Sequence, residues 1–252
     1  MKFSIIIPSY NQPQFISETF DNLKELKLKA VQNGVSVELL LFDSCSNEDV
    51  QKKIEEYKGV FDFVEIEKDN GQYDAINKGI QRATGDYWTW LNTDDKIDID
   101  GFLQIVSILK KDESIDYIYG SIEHIDAKGK SIRKVKAKPL TFDSLLNSDP
   151  GIYQPGSFFK KKFTDKIGLL ANYNCCFDYE YILRILKNQG KLVLCEAIVS
   201  QFRIHNQSKT GSIITAFVEE QIEISRKYGR KVFSKHSFIS MLRLIKHRYL
   251  MK

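Results

Sequence analysis

The chain has 252 residues, 42% hydrophobic and 28% charged. That is enough for one large α/β domain or two small ones, and too ordinary in composition for a disordered or low-complexity protein. Its formal net charge of +4 hides a split: positions 226–252 hold nine Lys/Arg and no Asp/Glu, leaving 28 basic against 33 acidic residues elsewhere, and an acidic body with its excess basic charge confined to one end argues against nucleic-acid binding.

Residues 3–8 form a β-rich run. It is shorter than the ~7–15 apolar residues of a signal peptide, lacks a small-residue cleavage site, and reads as a buried first strand. Residues 15–28 place apolar side chains at 16, 20, 23, 26 and 28, a helical stripe. Residues 37–42 are apolar apart from Glu38, close to what a strand buried on both faces requires. Residues 47–57 predict a charged helix with Asn47 as N-cap. A third strand is expected at 61–66. A helix at 71–83 has Ala75, Ile76, Gly79, Ile80 and Ala83 on one side, and a fourth strand follows at 87–91. Another helix and strand are expected at 100–110 and 116–119. No apolar stretch approaches the ~20 residues needed to span a bilayer. None of Cys45, Cys175, Cys176 and Cys195 forms a C-x-x-C pair, so reduced thiols in a cytosolic protein are expected.

This alternation predicts an α/β fold: a mostly parallel, Rossmann-like sheet flanked by helices, with ligands at the carboxyl ends of its strands. The residues there are Pro8-Ser9-Tyr10-Asn11, Asp43-Ser44, Lys68-Asp69-Asn70-Gly71 and Asn92-Thr93-Asp94-Asp95. Each set could make an ordinary turn or cap, but four on one edge point to a binding cleft. There is no G-x-G-x-x-G and no Walker lysine motif, so a phosphate needs another holder. Adjacent Asp94 and Asp95 can hold a hard divalent cation that bridges a diphosphate.

Several segments carry a family resemblance. They are Ile5-Ile6-Ile7-Pro8-Ser9-Tyr10-Asn11; Asp43 with Ser44 and Ser46; Asn70-Gly71-Gln72-Tyr73-Asp74-Ala75-Ile76-Asn77-Lys78-Gly79; and Thr84-Gly85-Asp86-Tyr87 leading into Leu91-Asn92-Thr93-Asp94-Asp95. Gln154-Pro155, Gly168, Asp178-Tyr179-Glu180 with Arg184, and Phe202-Arg203-Ile204-His205 with Ser208 and Thr210 continue the pattern. In order and spacing, over roughly 3–210, the chain resembles glycosyltransferase family 2, whose members have the GT-A fold. The family's D-x-D motif begins here with Asn92, an amide and so a weaker metal ligand.

The resemblance implies an inverting glycosyltransferase that moves a sugar from a nucleoside-diphosphate-sugar, a UDP-sugar first, to an acceptor hydroxyl. It implies a role in cell-surface polysaccharide or glycan synthesis, with a glycan or lipid-linked glycan as acceptor. Asp178 would be the general base; its alternative roles are an N-cap, with Glu180 as the base instead. Mg2+ or Mn2+ would stabilise the leaving diphosphate, held by Asp94, Asp95 and His205. The donor would meet Pro8, Tyr10, Asn11, Asp43, Asp74, Lys78, Asn92 and Asp94. Asp43 would accept from the nucleotide base and Tyr10 would stack on it or be half-buried core. Arg203 and Lys209 would add charge at the phosphates. Trp88 and Trp90, on one face of a strand, read as core, whereas Tyr153, Phe158 and Phe159 are better candidates for sugar contacts, with core packing the alternative for all three.

One catalytic domain is expected over 1–225, with a nucleotide-sugar half at 1–120 and an acceptor half at 121–225. Residues 226–252 form a basic tail, read as an amphipathic helix on the cytoplasmic face of an anionic membrane or as a helix packed on the domain. A non-catalytic nucleotide-binding module would have lost the acidic candidates. A nucleotidyltransferase would need a Gly/Arg-rich phosphate loop near the first strand, which residues 8–12 do not provide.

Overall fold

The structure, a computed structural model, describes residues 1–147, 154–205 and 214–230. The first half runs β1 (Lys2–Ser9), α1 (Ile16–Gln32), β2 (Ser36–Asp43), α2 (Glu48–Glu56), β3 (Phe63–Ile66), α3 (Gln72–Arg82), β4 (Tyr87–Trp90), β5 (Lys96–Ile97) and α4 (Ile99–Lys111). The second runs β6 (Tyr117–Ile125), β7 (Ser131–Val135), α5 (Phe142–Asn147), β8 (Ser157–Lys160), α6 (Lys161–Ile167), α7 (Phe177–Lys187), β9 (Leu192–Arg203) and α8 (Ile214–Lys227). One nine-stranded sheet passes through both halves in the order β3-β2-β1-β4-β8-β6-β9-β5, with β7 beside β6. Among the described residues, no helix is long and apolar enough to cross a membrane.

The first four strands pair in parallel, as the alternation predicts. Beyond them the sheet is mixed. Strand β8 lies between β4 and β6, antiparallel to both, while β9 runs parallel to β6. The strand expected at 116–119 is only the start of β6, and it reaches β4 through β8 rather than directly.

The sheet divides two cores. Phe3, Ile5 and Ile7 pack with α1 and α4 on one side. Ile6 packs on the other with α3, Trp88 and Trp90. A Cβ on Gly79 would lie 2.3 Å from Ile6 Cγ2, so a bare glycine is what lets α3 approach β1. Helix α1 buries Ile16, Thr19, Phe20, Leu23, Leu26 and Ala30. Leu28, counted above in the stripe, is 61% exposed, because a 3.6-residue period turns it away from the face shared by 16, 23 and 30. Asn47 does cap α2, accepting from Val50 N–H. Buried Glu38 would be raised in pKa by desolvation. Hydrogen bonds from Lys2, Ser4 and Thr84 outweigh this and hold it down at about 2.

Trp88 and Trp90 stack on each other and on Phe159 in the core. Phe158 and Phe159 are 0% and 1% exposed, so they are core residues and not sugar contacts. Tyr153, Ser208, Lys209 and Thr210 lie outside the described residues. So do positions 231–252, most of the expected tail. Its beginning is part of the body: α8 runs to Lys227, and buried Arg230 donates from Nη1 to Ser225 Oγ at 2.8 Å.

Candidate functional site

The parallel order β3-β2-β1-β4 brings all four polar strand ends to one edge. There, Asp43 is 1% exposed. Its Oδ2 accepts from Ser9 Oγ at 2.7 Å and Ser46 Oγ at 2.6 Å, and its Oδ1 from Ser46 N–H at 2.8 Å. A carboxylate offers about four lone-pair positions, so one is left on Oδ1. Asn11 joins this loop to the next: its N–H donates to Ser46 Oγ and its Oδ1 accepts from Asn47 N–H. Tyr10 is 63% exposed, so its ring stands open for stacking and is not a core tyrosine. Pro8 is half-buried at the end of β1. Asp74, in the first turn of α3, accepts from Asn70 N–H and Nδ2. Lys78 is ion-paired with Glu65 and Glu67 at 3.0 and 3.3 Å.

After β4 the chain enters the acidic loop. Asn92 accepts from Gln72 Nε2 at 2.6 Å and donates to Asp95 Oδ2 at 3.2 Å. Asp94 Oδ2 lies 2.9 Å from His205 Nε2, just past the end of β9. Asp95 is fully enclosed: Oδ1 accepts from Arg203 N–H at 2.9 Å, and Oδ2 takes the Asn92 amide. Burial, then the neighbouring Asp94 charge, push the Asp95 pKa well above the carboxylate range, while the donors from Arg203 and Asn92 oppose them. Thr19 Oγ1 serves the carbonyls of Thr93 and Asp95 at 3.0 and 2.9 Å.

Arg203 is a strut and not a phosphate contact. It is 0% exposed, and its Nε donates to Asp94 O at 2.9 Å. Nη1 donates to the carbonyls of Asp126 and Ala127, and Nη2 pairs with Glu18 at 2.9 Å. The guanidinium also lies 4.5 Å over the Phe15 ring, which packs against His205 in turn.

Of the three residues expected to hold a cation, two converge. Ligands at right angles and about 2.1 Å from one ion lie about 3.0 Å apart, close to the 2.9 Å between Asp94 Oδ2 and His205 Nε2. The carboxylate suits Mg2+ or Mn2+, and the imidazole beside it favours Mn2+, since Mg2+ prefers oxygen donors alone. Asp95 directs both oxygens at protein donors, which orients the loop. Among the described residues, no three His, Cys, Asp or Glu side chains cluster with metal-ligand spacing.

Asp178 lies at the second position of α7, after the capping residue Cys176, so it is not the N-cap. Desolvation raises its pKa to about 6; the Tyr179 N–H at 2.7 Å and its own N–H work against this, and the nearby Glu220 charge adds to it. Phe177 packs on Trp90 at 5.8 Å between ring centroids, which sets the start of α7 beside the end of β4. Asn77 ties α3 to the segment before α7 by exchanging two hydrogen bonds of 2.9 Å with Leu170. Glu180, the alternative base, is 3% exposed and committed to Arg184 and the Tyr228 hydroxyl.

Sequence reasoning missed Thr19 and Glu220. Glu220, on α8, accepts from three successive N–H groups, those of Asn174, Cys175 and Cys176, at 2.8, 2.9 and 3.0 Å. Thr19 was detectable as a polar residue inside the buried stripe of α1; nothing marked Glu220.

Comparison with known proteins places this geometry in a family. An uncharacterized glycosyltransferase of Rickettsia felis is 31% identical over 146 residues, 57% of this chain and 23% of that protein. One of Methanocaldococcus jannaschii is 20% identical over 212 residues, 81% of this chain and 71% of that protein. The chain thus spans about a quarter of the Rickettsia relative. Among solved structures, S. aureus TarS 1-349 in complex with UDP-GlcNAc superposes with a TM-score of 0.70 at 15% identity, over 100% of this chain and 74% of that one. The mannosyltransferase PcManGT of Pyrobaculum calidifontis, in complex with GDP-Man and Mn2+, gives 0.67 at 15% identity, over 98% and 70%. At that identity the likeness is one of fold, a mixed α/β sheet of GT-A type flanked by helices. Residues 4–179 match the profile of Glycosyl transferase family 2, and the chain belongs to that family.

Proposed function

We propose that the protein is a metal-dependent, inverting glycosyltransferase that moves a sugar from a nucleoside-diphosphate-sugar, a UDP-sugar first, to an acceptor hydroxyl in glycan synthesis. The observation that carries this reading is the shared edge. What supports it is the 2.9 Å Asp94–His205 pair past the ends of β4 and β9, together with the Trp90–Phe177 contact at the start of the helix that carries Asp178, whose pKa is raised to about 6. The TarS and PcManGT complexes with UDP-GlcNAc and GDP-Man support a nucleotide-sugar donor, and the Mn2+ of the latter supports a cation.

Tyr10 stacks on the nucleotide base and Asp43 accepts from it through its remaining lone pair; Pro8 and Asn11 shape that loop. Asn92 and Asp94 face the ribose and diphosphate, with Asp74 and Lys78 supporting the wall formed by α3. Asp94 and His205 would hold a divalent cation, which would supply Lewis-acid stabilisation of the leaving diphosphate. Asp178 takes the proton of the acceptor hydroxyl as it attacks. A base is most effective with a pKa near the working pH, and desolvation moves this carboxylate towards it. With one base and no obvious second nucleophile among the described residues, a single displacement inverts the anomeric centre. A glycan or lipid-linked glycan is the acceptor, and positions 226–252 are the candidate membrane contact at the cytoplasmic face.

The test is a screen of UDP-, GDP- and dTDP-sugars for hydrolysis and transfer with Mn2+ or Mg2+, reading the anomeric configuration of the product by NMR. A retained configuration, or no turnover of any donor, overturns the proposal.

A further inference from the structure

The basic charge is not confined to the end of the chain. Lys128, Lys130, Arg133, Lys134, Lys136 and Lys138 are six cations in eleven residues with no acid among them. Outside this stretch, residues 1–225 carry 22 basic against 33 acidic residues. The stretch is the turn between β6 and β7, strand β7 itself, and the chain just beyond it. All six side chains are exposed, and Ile132 among them is 53% exposed. Among the described residues, the ammonium groups of Lys128, Lys130, Lys134 and Lys138 form no ion pair. The two nearby acids are occupied: Asp126 accepts the backbone N–H groups of Lys128 and Lys130, and Glu123 binds Ser131 Oγ and Gln201 Nε2. Arg133 donates to His124 Nδ1.

Crowding like charges on a ribbon costs self-repulsion. Backbone N–H groups of Lys130 and Lys128, and then the charges of both, hold the Asp126 carboxylate down; Ser131, Gln201 and then the charge of Lys134 do the same for Glu123. The stretch still keeps an excess of positive charge that suits an anionic partner. The shape of the row narrows the partner. Strand β7 pairs only with β6 among the described strands, so the cations flank an open strand edge. Beyond the turn, residues 131–138 near 3.3 Å each make a row of at most about 26 Å, longer than it is wide.

The row also starts at the acidic loop. The carbonyls of Asp126 and Ala127, in the hairpin turn, both accept from Arg203 Nη1 at 3.2 Å. The same arginine holds Asp94 O through Nε and Asp95 Oδ1 through its backbone N–H. A chain lying along the hairpin would therefore have one end at the loop that holds the cation.

We propose that the β6–β7 hairpin is a docking rail for the acceptor, and that this acceptor is a linear glycan bearing regularly spaced carboxylate or phosphate groups. The proposal rests on reading the acidic loop as the donor end of a glycosyl transfer and adds the chemical class of the acceptor. A line of cations along a strand edge matches a linear polyanion, whereas a bilayer would favour a broad face with several apolar residues to insert, and Ile132 is one.

The test uses the full chain and polygalacturonate, a linear glycan with one carboxylate per sugar, against neutral dextran, by fluorescence anisotropy over a salt series. The wild type should bind polygalacturonate and not dextran, with log Kd rising linearly against log salt as counterions are released. Replacing the hairpin cations (K128Q, K130Q, R133Q, K134Q) should weaken binding by about 30-fold or more and reduce the salt slope by about two to three. Replacing four tail cations (K235Q, R243Q, K246Q, R248Q) should weaken it less than about threefold. Melting curves confirm that each variant is folded. The rail is overturned if the hairpin variant binds like the wild type, or if the tail variant loses as much. It is also overturned if the wild type ignores polygalacturonate but sediments with phosphatidylglycerol vesicles through the hairpin. Donor hydrolysis by the wild type without acceptor is read separately. Polygalacturonate binding without hydrolysis sinks the donor-site reading and leaves the rail standing; hydrolysis without binding does the reverse.

Discussion

Asp95 and Asp178 both sit at the functional edge with pKa values pushed up by burial, yet their oxygens are committed differently. Asp95 gives both to protein donors, Arg203 N–H and the Asn92 amide. Asp178 takes the Tyr179 N–H on Oδ1 and its own N–H, which leaves lone pairs for a substrate proton. The difference separates a carboxylate that shapes a loop from one that can do chemistry, although the sequence shows two aspartates of similar setting. It also makes the two ends of the site separately breakable.

The largest effect is expected at the Asp94 end. Excess EDTA should reduce transfer to background and added Mn2+ should restore it, because the role proposed for Asp94 and His205 is to hold a cation that stabilises the leaving group. Full turnover in EDTA would remove the cation from the mechanism. Asp94→Asn should weaken Mn2+ binding, followed by the metal's paramagnetic resonance, while leaving the Asp178 pH limb in place.

Asp178→Asn comes next. Loss of a general base costs ~10²–10⁴-fold in transfer, and donor affinity should stay within a few-fold. The wild-type rate should fall tenfold per pH unit below about pH 6, the pKa to which desolvation raises this group. The stability sign is the reverse of an ordinary salt-bridged aspartate. The folded pKa of about 6 exceeds the ordinary aspartate value of 3.8, so the ionised carboxylate costs stability above about pH 6. That cost disappears as pH falls towards 4. The amide should therefore raise the melting temperature at pH 7.5 by the equivalent of up to about 3 kcal/mol, with little change at pH 4. Near-wild-type transfer by the variant would make Asp178 structural.

Arg203→Lys tests the shaping role of the other end. A lysine cannot span Asp94 O, the hairpin carbonyls and Glu18 at once. Groups that orient metal ligands typically contribute 10–100-fold in metal affinity, so the Mn2+ requirement should rise by about that factor while kcat at saturating metal is nearly kept. An unchanged metal requirement would detach Arg203 from the site.

Much of the first half was legible because its signals are local. Alternating periodicity yields β1 to β4 and their helices, and Asn47 announces its own cap. The parallel order follows from that alternation, and with it the edge where Asp43, Asn92 and Asp94 meet. The second half depends on pairings far apart in sequence. Strand β8 joins β4 across some 70 positions, and four-residue strands carry too few residues to show a period. His205 reaches Asp94 over 111 positions, and only the family resemblance suggested it. Arg203 read as a phosphate contact because charge is visible in a sequence and burial is not. The basic hairpin was lost in a net charge summed over the body.

Glu220 was the least legible, since its partners are backbone N–H groups that every residue possesses, and it is expected to have the smallest effect. Its carboxylate gathers the N–H groups of Asn174, Cys175 and Cys176 just before α7, where a helix leaves donors unpaired and its dipole favours negative charge. It thereby fixes the start of the helix that carries Asp178, and its charge adds to the upward pKa shift of that carboxylate. Glu220→Gln removes the charge but keeps one acceptor oxygen. The melting temperature should fall by the equivalent of about 1 kcal/mol, and the acidic limb of the pH–rate profile should move to lower pH by less than about one unit. The plateau rate should change less than tenfold. Glu220→Ala also removes the acceptor, so kcat should drop further with the donor KM unmoved. A purely structural role for Glu220 would lower stability in both variants and leave the position of the acidic limb untouched, which separates the two accounts in a single titration.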